Sequence, residues 1–297
     1  MLVAGIGALA LAIVQGHDWG WGSARVVVAF ATAAVLVFAV VLRSSRHPSP
    51  VLELPLLAKR AFAVAGVGIL FFFAGFGAFL LSTVLFLNEV WEYSILTSAL
   101  AVAPGPLTTA FGSVASARLA LHWGQRVVGV AGALLFALGA MWWIWKAGSK
   151  PDYLGDALPG LVFAGVGAGL LFPPLLNAPA MTLPPGRFAT GMSVVIMLRQ
   201  IGAALGVAIL TAILAGTSGA ELLSAFDNAW AFVASACAAT AVACLLLASA
   251  PDADVADANL ETPLDIGAPA QSGRSVLDDG RQLAEPGPPV QRGPSVS

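Results

Sequence analysis

Apolar residues of this 297-residue chain are gathered into eight segments that short charged or Pro/Gly-rich loops separate. The segments are apolar around their whole circumference, whereas a helix on a soluble core has one apolar stripe and one charged face. A helix needs roughly 20 apolar residues to cross roughly 30 Å of hydrocarbon, and six segments approach or exceed that length. The pattern therefore predicts an all-α membrane protein with about eight transmembrane helices. The segments are 2–14, 26–42, 61–87, 94–117, 127–145, 157–178, 188–215 and 222–249.

The first segment, 2–14, has 13 residues and would form a helix of roughly 20 Å, which is short of the bilayer. A signal peptide is the competing interpretation. The segment has no basic stretch before it and no clean small-residue cleavage site before Trp19. We therefore expect a helix that has lost its first turns, so that the chain begins partway through a helix of a longer protein.

Composition supports a membrane protein and separates a tail from it. Charged residues make up 10% of the chain, against about 25% in a soluble domain. Residues 251–297 hold three Arg and eight Asp/Glu among many Pro, Gly, Ser and Ala. Such a composition buries too little apolar surface to offset its ordering entropy, so we expect a disordered acidic tail. The chain has no basic patch interleaved with aromatics, so no nucleic-acid partner is expected.

Residue types that carry catalysis or bind metals do not occur in the required patterns. The two cysteines, Cys237 and Cys244, lie in one apolar segment, and neither CxxC nor HExxH is present. No paired carboxylates or nucleophile–base set lies near a predicted membrane boundary. We therefore expect no catalytic residue, no metal, no cofactor and no enzymatic activity.

Lys and Arg predict the orientation of the spans, because they are enriched in cytoplasmic loops. Loops 43–60, 118–126 and 179–187 hold seven of them, and the alternating loops hold three. This distribution predicts a multi-pass protein of the cell membrane with a cytoplasmic loop at 46–60 and both termini in the cytoplasm. All ten Trp and Tyr residues lie at segment ends or in loops, and nine lie on the predicted outer side, as expected for membrane interfaces.

Four stretches resemble the 14-helix drug:proton antiporter family of the major facilitator superfamily. They are VQGHDWGWGSARVV at 14–27, RHPSPVLELPLLAKRAF at 46–62, APGPLTTAFGSVASARLALHWGQR at 103–126 and LRQIGAALGVAIL at 198–210. The resemblance covers residues 1 to about 250. It implies that 1–45 form the two central helices and that 61–250 form the C-terminal six-helix bundle.

The resemblance also implies a function. The full-length relative would exchange protons for small amphipathic drug-like substrates by alternating access, and the N-terminal six-helix half would be a missing partner. A non-transporting truncation product, or a membrane partner of another half-transporter, remains the alternative. No Asp or Glu lies near the middle of a segment, and Asp227 enters the last one by about a turn and a half. We therefore expect the missing half to supply the proton-coupling group.

One loop matches a cytoplasmic motif of the superfamily, roughly G-x-L-A-D-R-x-G-R-R. Within residues 118–126, Gly124 and Arg126 match it, whereas Leu121 stands at the acidic position. The resemblance implies a gating role for this loop, including Arg118. A loop that only sets topology through its positive charges is the alternative.

Substrate-cavity residues are predicted from polar and aromatic side chains at membrane depth. Arg199 lies 12 residues after Arg187, and a mid-membrane arginine faces a cavity or a partner. Pairing with backbone carbonyls of a broken neighbouring helix is its structural alternative. Gln200 and Asn177 are further polar candidates. Phe72, Phe76 and Phe79 share a helix face and are predicted to form an aromatic wall for apolar drugs, with Phe72 and Phe76 as the cavity residues.

Prolines predict two helix breaks, one at Pro104-Gly105-Pro106 and one at Pro173-Pro174. Broken helices are common at transporter binding sites and gates, although a static bend would have the same sequence. The small-residue pairs Gly165/Gly169 and Gly202/Gly206 are predicted to be helix-packing faces.

Overall fold

The computed structural model describes residues 2–20, 22–46, 60–181 and 188–247, which form helices without any strand among them. The predicted acidic tail and nearly all of the predicted 46–60 loop lie outside these residues. All the described helices belong to one compact unit, Met1–Ala250. The helices are α1 Leu2–Val14, α2 Gly16–Trp19, α3 Ala24–Arg46, α4 Arg60–Glu89, α5 Ile95–Val102, α6 Pro104–Lys146, α7 Leu158–Met181, α8 Phe188–Leu214 and α9 Ala220–Leu247.

Five stretches of the described chain are long and apolar enough to cross a membrane, and Ile95–Lys146 is twice the usual length at 52 residues. It bends at Gly124, whose φ of 79° and ψ of 153° are tolerated by glycine. Before the bend Gly112 packs against Gly169 of α7, and after the bend Gly132 packs against Gly167. Both arms of α6 therefore lie along α7. The predicted segments 94–117 and 127–145, one on each side of the bend, are two separate spans.

The other predicted segments are also helical, within a few residues of their predicted bounds. A π-helical turn, Tyr153–Ala157, precedes α7. The all-α membrane fold with about eight spans is thus confirmed.

The predicted break at Pro173-Pro174 is wrong, because α7 continues through both prolines to Met181. Pro174 has no N–H to donate to the carbonyl of Leu170, four residues earlier. The Ser116 hydroxyl of α6 donates to that carbonyl instead, at 2.8 Å. Since a neighbouring helix satisfies the freed acceptor, α7 does not need to open at this point.

The break at Pro104-Gly105-Pro106 is present. Helix α5 ends at Val102, and α6 begins at Pro104. The Ala103 N–H closes a tight turn onto Leu100 O at 3.2 Å. The Thr108 hydroxyl donates to Pro104 O and Gly105 O, each at 2.9 Å, and fixes the first turn of α6.

Two aromatic clusters fill the core. The phenylalanine cluster joins α4, α6 and α7 with neighbouring ring centroids 5.2 to 6.1 Å apart; its members are Phe72, Phe73, Phe76, Phe79, Phe136 and Phe172. The tryptophan cluster lies nearer one end of the bundle; its members are Phe86, Trp91, Trp143, Phe226 and Trp230. Trp143 and Trp230 are fully buried, so these two rings pack against protein.

The glycine pairs are helix-packing faces, as predicted. Gly202 and Gly206 of α8 lie against the α4 backbone at Leu70 and Ala74. Gly165 and Gly169 of α7 lie equally close to the first arm of α6. These contacts bring α4, α6, α7 and α8 together around the phenylalanine cluster.

Candidate functional site

A cavity of about 360 Å³ lies where α4, the α5–α6 break and α7 meet. Its size falls within the range of small-molecule sites. Leu80 and Ala110 at its edge are exposed, so the cavity opens sideways between α4 and α6. It is lined by Phe76, Phe79, Leu80, Val102, Gly105, Pro106, Thr109, Ala110, Phe136, Leu161, Ala164 and Gly165.

The cavity wall is aromatic and uncharged. Phe76, Phe79 and Phe136 contribute three rings of the phenylalanine cluster. Thr109 carries the one side-chain hydroxyl among the lining residues, and it already donates to Gly105 O at 2.9 Å. None of the described residues that line the cavity has an ionisable side chain. The site can therefore hold an apolar or aromatic moiety through burial and ring contacts, without ionic pairing.

The helix break helps to form this cavity. Gly105 and Pro106 lie on its wall, while Gly165 of α7 packs directly against Gly105 and Thr108. A Cβ at Gly165 would collide with Thr108 and Gly105, whereas a Cβ at Gly105 would meet no atom within 4 Å. Of the predicted cavity and break residues, Phe76, Gly105 and Pro106 are the ones that line the cavity. Pro104 directly precedes them at the start of α6.

Phe72 lies one layer behind the cavity. It is fully buried, and its ring makes edge contacts with Phe136 and Phe172, each with centroids 5.5 Å apart. Of the three phenylalanines predicted to form the aromatic wall, Phe76 and Phe79 therefore line the cavity. Phe72 supports the ring of Phe136 from behind.

Arg199 lies beside the phenylalanine cluster and does not line the cavity. Its guanidinium carbon is 4.7 Å from the centroid of Phe73, which is a cation–π contact. Its Nε is buried without a hydrogen-bond partner among the described residues. The backbone pairing that sequence analysis left as an alternative is therefore not found for this nitrogen.

The remaining predicted polar residues do not join Arg199 in one site. Gln200 is exposed on α8, and Asn177 is exposed near the end of α7. Neither residue lines the cavity, and neither do Pro173 and Pro174. The structure thus brings together the aromatic part of the predicted site and leaves its polar part dispersed.

The motif-like loop forms the hairpin bend of α6. Arg118, Gly124 and Arg126 are all exposed there, and a ring nitrogen of His122 lies 3.0 Å from Arg118 O. The positive φ of Gly124 explains why this position of the loop takes glycine. No ion pair of Arg118 or Arg126 with another described residue is found, so the charge network implied by the motif is not seen there.

Two lining residues that matter to the shape were not predicted, Phe136 and Leu161. Phe136 belongs to a uniformly apolar span with no polar or proline signal. Its role depends on how the second arm of α6 packs on α7.

Comparison with known proteins identifies the class to which this helical bundle belongs. Residues 1–207 match the model of the Major Facilitator Superfamily. The chain belongs to that superfamily of membrane transporters.

Several curated relatives are similar over most of this chain. Multidrug resistance protein Stp of Mycobacterium tuberculosis is 29% identical over 223 residues, which cover 75% of this chain and 41% of Stp. Cephamycin export protein CmcT of Amycolatopsis lactamdurans is 31% identical over 247 residues, covering 79% and 49% respectively. Multidrug export protein EmrB of Haemophilus influenzae is 26% identical over 215 residues, covering 71% and 41%. The chain thus spans less than half the length of these relatives.

Proposed function

We propose that this chain forms the substrate-binding half of a proton-coupled efflux antiporter for small amphipathic, drug-like molecules. The observation that carries the proposal is the cavity of about 360 Å³, lined by aromatic and aliphatic residues at the α5–α6 break. The names of the relatives Stp, CmcT and EmrB describe multidrug resistance, cephamycin export and multidrug export by those proteins. An uncharged aromatic cavity fits the apolar part that amphipathic drugs share.

We further propose that a second, six-helix half completes the transporter and supplies the proton carrier. The coverage of less than half of each relative supports this division. A transporter working by alternating access needs two bundles that move against each other around the site. The second bundle would also face Arg199, whose Nε has no partner among the described residues.

The proposed orientation places both chain ends in the cytoplasm of a cell-membrane protein. Its support is the unequal distribution of Lys and Arg between alternating loops. A thiol introduced by Tyr93→Cys should then react with an impermeant maleimide in intact cells, whereas one introduced by His122→Cys should not. Labelling only at His122→Cys would reverse the orientation.

Dye binding tests the cavity. The 297-residue chain in lipid nanodiscs should bind the neutral aromatic dye N-phenyl-1-naphthylamine saturably, with a rise in dye fluorescence. Ala110→Trp fills the mouth of the cavity and should weaken binding at least tenfold. Ala131→Trp is the matched control, because Ala131 is an exposed residue of the same helix that does not line the cavity. Equal affinities of the two variants would contradict the proposed site.

A further inference from the structure

A second space lies at the end of the bundle that holds the tryptophan cluster. This vestibule measures about 380 Å³ and is lined by Tyr93, Thr97, Leu100, Ala101 and Tyr153. Ala101 lines the vestibule, and the next residue, Val102, lines the cavity. The last turn of α5 therefore contributes to the wall of both spaces.

One hydrogen bond holds this last turn of α5 in place. The Tyr153 hydroxyl donates to Ala101 O at 2.8 Å, across 52 positions of sequence. Tyr153 begins the π-helical turn before α7, a local irregularity of a kind often found at functional sites. The bond ties the end of α5 to the π-helical turn at the boundary between the vestibule and the cavity.

Helix α5 is weakly held elsewhere. It has eight residues, and Ile95, Leu96 and Leu100 are 84%, 72% and 67% exposed. Ser98, which donates to Asn88 Oδ1 at 3.1 Å, provides its side-chain link to α4. A short helix with few buried side chains is a segment that can move at low free-energy cost.

The α5–α6 junction is built as a hinge. Pro104 and Pro106 cannot donate backbone hydrogen bonds to Leu100 O and Val102 O, so two bonds that would join α5 to α6 are missing. Gly105 lies between the prolines, and no atom stands within 4 Å of the position a Cβ would take there. On the other side of the hinge, the hydroxyls of Thr108 and Thr109 fix the start of α6. Because the start of α6 is fixed, we expect α5 to be the segment that moves at this junction.

We propose that α5 is a gate between the cavity and the vestibule, that Tyr153 is its latch, and that Ala103, between the two helices, is its hinge. When the Tyr153–Ala101 bond opens, α5 swings and joins the two spaces. A bound aromatic molecule then has a path to the vestibule that is separate from the sideways opening at Leu80 and Ala110. This gate deepens the proposed function, since it supplies an exit for the proposed ligand.

The gate can be tested without any ligand, by the accessibility of a thiol just below the latch. The reporter is Val102→Cys, a substitution of similar volume, in a chain that also carries Cys237→Ala and Cys244→Ala. The chain is held in nanodiscs, and its modification by a charged, impermeant methanethiosulfonate is followed over time. The rate reports how often water-borne reagent reaches the cavity side of α5.

Removing the latch should raise that rate. Tyr153→Phe deletes only the hydroxyl, and we expect modification about fivefold faster, the factor that corresponds to a hydrogen bond of about 1 kcal/mol. Tyr93→Phe is the matched control, because it removes a hydroxyl from the same vestibule that has no hydrogen bond to a described residue. Pro104→Ala restores an N–H for Leu100 O and should slow modification by a similar factor.

A second reporter distinguishes loosening of the whole bundle from opening of α5. Cys237 is fully buried in α9. In a chain that keeps Cys237 and lacks Val102→Cys, the rate of Cys237 modification should be equally slow with and without Tyr153→Phe. Equal rates for Tyr153→Phe and Tyr93→Phe, or faster modification of Cys237 in Tyr153→Phe, would overturn the gate. Because no ligand is used, these outcomes are independent of the dye measurement. If Ala110→Trp loses dye binding while Tyr153→Phe leaves the rate of thiol modification unchanged, the proposed binding cavity is supported and the proposed gate is contradicted.

Discussion

Arg199 shows how one charged side chain can be retained at a cost to stability. It is the twelfth of the 27 residues of α8, near the middle of the span. Placing an arginine at the centre of a membrane helix costs about 2.5–3.5 kcal/mol. Its cation–π contact with Phe73 returns about 0.5–2 kcal/mol. Without an ion pair to another described residue, the cost exceeds the return.

The first prediction follows from that difference. Arg199→Met keeps much of the side-chain length and removes the charge, so the isolated chain in nanodiscs should unfold at a higher temperature, by the equivalent of about 1 kcal/mol. In an assembled transporter the same substitution should reduce drug export. Arg118→Met, in the exposed hairpin, should leave the unfolding temperature near that of the wild type. A lower unfolding temperature for Arg199→Met would instead identify Arg199 as a residue that holds the bundle together.

At the scale of single helices, Ser116 and Pro174 form a matched pair on two spans. The proline removes the N–H that would bond Leu170 O, and the serine hydroxyl replaces it. A buried carbonyl left without a donor costs about 1–3 kcal/mol. The pair explains how α7 stays helical at Pro174, whereas the prolines of Pro104-Gly105-Pro106 separate α5 from α6.

Ser116→Ala should therefore lower the free energy of unfolding by about 1–3 kcal/mol, measured by thermal unfolding in nanodiscs. Ser113→Ala is the control, since the Ser113 hydroxyl bonds Thr109 O of its own helix at 3.0 Å. Adding Pro174→Ala to Ser116→Ala should restore stability, because the new N–H reaches Leu170 O. Destabilisation that persists in the double variant would contradict this exchange of donors.

Close packing between α4 and α8 gives a third prediction. A methyl group at Gly206 would clash with the carbonyl of Ala74, so Gly206→Ala should lower the free energy of unfolding by about 1–3 kcal/mol. Gly7→Ala in α1 is the control, as nothing stands within 4 Å of the added carbon. Helix propensity favours alanine there, so the control should unfold at the same or a slightly higher temperature. Equal losses in the two variants would exclude the clash as the cause.

Sequence could predict the spans because each is an uninterrupted apolar run bounded by charges. It could also predict the break at Pro104, where no hydroxyl of a described residue donates to Leu100 O or Val102 O, the carbonyls to which the two prolines have no N–H to donate. The continuity of α7 depends on Ser116, which is 54 positions from Leu170 in sequence. The cavity depends likewise on Phe136 meeting Phe76 and Phe79 across helices. Features that require a particular partner from another span cannot be seen in a local pattern.

The whole bundle has an apolar binding space and very few ionisable groups at depth. Arg199 lies near the middle of α8, and Asp227 is the eighth of the 28 residues of α9, with Oδ1 buried and unpartnered among the described residues. Glu89 and Glu92 are exposed at the end that carries Trp91. Arg199 does not line the aromatic cavity, so the proposed function assigns binding of an apolar moiety and handling of charge to different parts of the molecule.

The last prediction concerns energy coupling. A proton gradient can do work only through a group that binds and releases protons as the protein changes state. Arginine stays protonated at any accessible pH, and the cavity wall holds no ionisable group. The 297-residue chain alone, in liposomes with a pH gradient, should therefore bind an aromatic cation such as ethidium without accumulating it. Accumulation that a protonophore abolishes would contradict this division of labour. Loss of that accumulation in Asp227→Asn, but not in Glu89→Gln, would then identify Asp227 as the proton carrier.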